Sequence, residues 1–203
     1  MRRNASTVVV LPGPAPAEVL AAVGRSMNVA LIRPPEPAAD DGDGIAAAAE
    51  ALQQAGRSSA AYALVPADPL AALAASWQAM WDVSRPEGPA GFEAEALKVL
   101  TAWRSGRFEL PDYYLVLGPG PAGPAGPADG DQGPDFYLGP LLTARPQRVA
   151  VVAATEPAQQ AVGVLHALGS LPYGPWWPAL DQLIEAARTF YPGQLAGGTA
   201  ATG

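Results

Sequence analysis

Residues 7–11 read TVVVL. Four β-branched residues followed by a leucine make a strand of ordinary length, closed by Pro12. The run does not alternate apolar with polar. A strand with one wet face alternates, so both faces of this one are expected to be covered, as in a parallel sheet flanked by helices. Four more runs share that character: NVALI at 28–32, AYALV at 61–65, YYLVL at 113–117 and RVAVV at 148–152.

The segments between these runs carry helical signals. Residues 16–25 follow the proline-rich turn after the first strand. Residues 44–56 start behind Asp43, a good N-cap, and stop at Gly56. Leu70, Leu73, Trp77, Met80 and Trp81 form one apolar stripe over 69–83. Phe92, Ala96, Val99, Leu100 and Trp103 form another over 91–104, where Glu95 precedes Lys98 on the outer face. Further helices are expected at 157–168 and 176–190, the latter with Leu180, Leu183, Ile184 and Ala187 inward. The stretch 136–147 reads equally as a short helix or an extra edge strand. The alternation predicts an α/β fold: a three-layer, open, mostly parallel sheet of about five strands with helices on both faces. It is read as a single domain over 1–193, with a flexible Gly/Pro-rich loop at 118–135 and a disordered tail at 194–203.

Composition narrows the function classes. The 203 residues carry 12 basic and 19 acidic side chains, a net charge of −7. The arginines are scattered and Lys98 is the one lysine. Nucleic-acid backbones and anionic membranes call for clustered positive charge, so neither is expected as a partner. The absence of cysteine excludes disulfides, thiolate chemistry and cysteine zinc sites. The apolar run Val8–Leu11 is shorter than the roughly 7–15 residues of a signal h-region, and no stretch reaches the ~20 residues of a membrane span. A cytoplasmic protein is the expectation.

In an open parallel sheet ligands bind beyond the carboxyl ends of the strands. The first such loop, PGPAPAE (12–18), contains Pro12, Pro14 and Pro16, each without the N–H that a phosphate cradle needs. The second holds Asp40, Asp41 and Asp43, but their spacing fails the EF-hand template, and a solvated turn capping a helix accounts for them. Asp68 follows the third strand. It is placed either as a ligand-binding carboxylate or, more simply, as a helix cap with Pro69 in the first turn. Thr155 and Glu156 follow the fifth strand before Pro157 and again suit a helix start, with Thr155 as the cap. The lone histidine, His166, lies late in a helix with no nucleophilic elbow or second histidine to complete a catalytic or metal set. No catalytic residue, metal site or cofactor is expected. Asp68, Thr155 and Glu156 are the candidate ligand-binding groups.

After the fourth strand, residues 120–128 repeat Gly-Pro-Ala three times. Three triplets are too few for a collagen triple helix, and their composition reads as a flexible loop. The densest aromatic cluster is LPYGPWWPAL at 171–180. Tyr173, Trp176 and Trp177 stand among Pro172, Pro175 and Pro178. Prolines fix the backbone, so rings there can be displayed at low entropic cost. Tyr and Trp are typical interface anchors, although the same rings can plug the end of a core. These features point to a non-catalytic protein-interaction or regulatory module, or a subunit of a larger assembly, with Tyr173, Trp176 and Trp177 toward a protein partner. The alternative is a small-molecule binder or enzyme working at the carboxyl ends of the strands.

Overall fold

The computed structural model describes residues 6–35, 44–82, 84–118 and 135–191. Asp40, Asp41, Asp43, most of the Gly/Pro-rich segment and the tail at 194–203 lie outside the described residues.

Five parallel strands form one sheet in the order β2-β3-β1-β4-β5. They are β1 (Thr7–Val10), β2 (Val29–Leu31), β3 (Tyr62–Val65), β4 (Tyr113–Gly118) and β5 (Val149–Ala153). Side chains of a strand alternate between faces, and here both faces are apolar. Val8 and Val10 join one core, Val9 and Leu11 the other. Tyr114 and Val116 divide from Tyr113 and Leu115 in the same way. Burial on both sides is why the strand sequences are continuous apolar runs.

The helices are α1 (Ala17–Val23), α2 (Gly44–Gly56), α3 (Ala71–Met80), α4 (Gly88–Arg104), the single turn α5 (Leu142–Ala144), α6 (Pro157–Gly169) and α7 (Leu180–Thr189). Helices α1 and α6 bury Val19, Leu20, Val23, Val164 and Leu168 on one face of the sheet. Helices α2, α3, α4 and α7 fill the other, around Trp77 and Phe92. The connection β1–α1–β2 runs one way along the sheet. The connections leading into β3, β4 and β5 run the other way, on the opposite face. All crossovers therefore share one hand, as parallel sheets demand.

Helices α3 and α4 together make the crossover from β3 to β4. They approach closely at Gly88, where a Cβ would lie 2.3 Å from the carbonyl oxygen of Ala79. Trp77 of α3 is fully buried and donates its indole N–H to the Ala187 carbonyl of α7 (2.7 Å). The stretch expected as a short helix or an edge strand is helical and leads into β5. It is a π-helical turn at Tyr137–Leu141 containing Pro140, followed by α5 and a 3₁₀ turn at Pro146–Arg148. Proline removes an amide donor from the regular ladder, and the wider turn accommodates it.

The last helix starts at Leu180 rather than at 176. Pro178 disfavours helical backbone at Trp177, so the chain from Leu171 to Ala179 has no helical or strand pairing. Helix α6 begins behind Glu156, not Thr155, with no side-chain cap bond. Helix α3 begins at Ala71, with Leu70 in the capping position ahead of it.

Candidate functional site

Asp68 sits in the loop after β3 and is buried on the Trp77 side of the sheet. Its Oδ1 accepts the Leu70 amide (3.0 Å) and the Tyr114 hydroxyl (3.1 Å). Its Oδ2 accepts the Tyr137 hydroxyl. Tyr114 comes from β4 and Tyr137 from the π-helical turn, so three separate connections meet on one carboxylate. Their rings lie 5.4 Å apart. Burial raises the Asp68 pKa from 3.8 to about 6, against the lowering effect of the three donors. Burial first, and the Asp68 charge second, push both tyrosine hydroxyls well above their ordinary value. At neutral pH the cluster is a carboxylate held by two protonated phenols. Its two oxygens are occupied by groups of the fold, and the Leu70 bond shapes the turn into α3.

Thr155 and Glu156 are exposed at the carboxyl end of β5. In the sheet order β1 and β4 lie between β3 and β5. The three polar groups expected to share a ligand therefore do not converge. Among the described residues no three His, Asp or Glu side chains cluster as metal ligands would.

The aromatic segment lies at the opposite end of the sheet, where α6 has run back past β5. Chain between Leu171 and Ala179 is poor in amide donors because Pro172, Pro175 and Pro178 have none. It is held through its carbonyls instead. Tyr113 of β4 donates its hydroxyl to Pro172 (2.9 Å). Arg148 donates Nη2 to Gly174 (2.7 Å) and Nε to Pro175 (3.0 Å), and Nη1 to Asp112 (3.3 Å). Arg145 donates Nε to Trp176 (2.7 Å). The Arg148 guanidinium is also stacked between two rings, 4.9 Å from the centre of Tyr113 and 5.0 Å from that of Trp176. Gly174 fits against Gln147, whose Cβ would be 2.7 Å from any added methyl.

On this fixed backbone the three rings take different places. Trp177 is 6% exposed, packs on Tyr114 at 5.7 Å and donates its indole N–H to the Pro111 carbonyl (2.8 Å). Trp176 is 48% exposed and Tyr173 96% exposed. Both tryptophans lie before Leu180, outside the helix expected at 176–190. In non-helical, near-extended chain, neighbouring side chains diverge, so one ring anchors while the other faces out. The geometry is a ledge: an inward indole as the bolt, carbonyls clamped by two arginines, and two aromatic rings presented to solvent.

Sequence reasoning missed Tyr114, Tyr137, Arg145 and Arg148. Two signals were available. A tyrosine heading a strand covered on both faces needs a partner for its hydroxyl. An arginine at the mouth of an otherwise apolar strand needs several acceptors at once. No family model, curated protein or solved structure was found to match this chain.

Proposed function

We propose that the chain is a non-catalytic protein-interaction module that engages its partner through Tyr173 and Trp176. The supporting observation is the ledge itself. Two large rings stand exposed on backbone fixed by three prolines and the side chains of Tyr113, Arg145 and Arg148. A backbone already fixed here needs less ordering on docking, and the Trp176 ring is further held by its stacking on Arg148. Tyr and Trp dominate binding energy at protein interfaces, where each anchor contributes about 2 kcal/mol or more. The partner surface that fits is an apolar pocket rimmed by hydrogen-bond acceptors for the Tyr173 hydroxyl.

The test compares the full chain with the Tyr173→Ser, Trp176→Ala double variant as parallel baits in extract of the cells that express it. A specific partner should be held by the wild type, with affinity for the double variant lower by about 30-fold or more. Its melting temperature should stay near the wild-type value, because neither ring is in the core. Identical capture by the two baits would sink the proposal.

A further inference from the structure

Strand β5 ends the sheet and is bonded to β4 on one side only among the described residues. In a parallel ladder alternate residues of an edge strand direct their N–H and C=O groups away from the sheet. An open groove of about 330 Å³ runs along that edge, between Ala150–Ala154 and the Gly163, His166 and Ser170 side of α6. Unpaired backbone donors and acceptors in a row are best satisfied by another strand. The Gly/Pro-rich segment that follows β4 is unsuited to that role, since its prolines lack the amides a ladder needs.

We infer that the occupant is a second copy of this chain, with β5 pairing antiparallel to itself about a two-fold axis at Val151, so that two five-stranded sheets join edge to edge. The sequence of β5, VAVVA, is self-complementary in that register. Val149 meets Ala153 of the other copy, Ala150 meets Val152, and Val151 meets itself. Each pair on either side of the axis thus sets a branched side chain against a small one. Charge permits the contact as well. The chain carries −7, so two copies repel unless they meet on a neutral face. From Val149 to Gly169 the sole charged residue is Glu156. An isologous contact of this kind closes on itself and stops at two copies.

The test uses the full chain in sedimentation equilibrium from about 1 to about 100 µM, the range in which dimers of moderate affinity dissociate. A species of twice 20.7 kDa is expected at the upper end. Ala153→Lys, at an exposed position, should raise the dissociation constant by about tenfold or more while circular dichroism stays unchanged. The absence of natural cysteine gives a register test. Val151→Cys should form a disulfide-linked dimer on mild oxidation, because the two-fold sets residue 151 opposite its own copy. Ala153→Cys should not. A 20.7 kDa monomer at every concentration, an Ala153→Lys variant that dimerises as well as wild type, or cross-linking through position 153 as readily as through 151 would overturn the inference.

Discussion

Trp176 and Trp177 are neighbours in sequence with opposite fates, and the cost of removing each should differ accordingly. Trp177 fills space against Tyr114 and satisfies the Pro111 carbonyl. Trp177→Ala leaves a cavity and an orphan acceptor, and is expected to cost about 3–5 kcal/mol in urea denaturation. Trp176→Ala loses a half-exposed ring and its stacking on Arg148, a change of about 1 kcal/mol. Equal losses for the two variants would contradict the bolt-and-ledge arrangement. Asp68 makes a second prediction, in pH. Its folded pKa of about 6 stands above the 3.8 of the free side chain. Between those values the folded chain binds a proton that the unfolded chain has released. Stability from this group is therefore greatest at or below about pH 4 and falls as pH rises through 6, by about 3 kcal/mol in total. Asp68→Asn keeps an acceptor for Leu70 and Tyr114 without the charge. The stability of the variant relative to wild type should rise between pH 4 and pH 7, then level off. A flat difference across that window would show that Asp68 is not charged against its burial.

Among the elements, the α3–α4 pair shows how much depends on one missing side chain. Gly88 opens α4 where Ala79 closes in from α3. The obstruction to a methyl group there is backbone, which gives little. Gly88→Ala should destabilise by about 1–3 kcal/mol, measured as a lower melting temperature, although alanine is the better helix former. Helix α7 is fastened across this pair by Arg188, whose guanidinium meets both carboxylate oxygens of Glu93 on α4 at 2.7 Å. That bidentate pair is partly exposed and adds about 1 kcal/mol or less. Burial of Leu180, Leu183, Ile184 and Ala187 does more to hold α7. The positions of these four were legible from their spacing. The start of α7 was not, because aromatic residues at 176 and 177 extend the apolar pattern while Pro178 interrupts the backbone.

At the scale of the whole molecule, the sheet has two differently used ends and two edge strands, β2 and β5. The carboxyl end brings Asp68 under the sheet into contact with Tyr114 and Tyr137, while Thr155 and Glu156 stay apart on β5. The amino end presents the aromatic ledge, built on side chains from β4 and the turn before β5. Of these edges, β5 has the groove that it forms with α6 beside it. Among the described residues no helix is long and apolar enough to cross a membrane. The association tests above belong to this scale, since both proposed surfaces are properties of the assembled sheet and of no single element.

The sequence by itself determined the strands, most helices and the parallel, doubly covered character of the sheet. Those follow from local apolar runs and their periods, which depend on residues close together in the chain. It also placed Tyr173, Trp176 and Trp177 in a proline-stiffened segment. The tertiary structure alone decided which of those rings faces inward, which strands form the edges, and that Asp68 gathers two tyrosines instead of Thr155 and Glu156. Each of these outcomes joins residues dozens of positions apart, such as Asp68 with Tyr137 or Arg148 with Pro175. Strand order and crossover hand bring them together, and no local pattern encodes either.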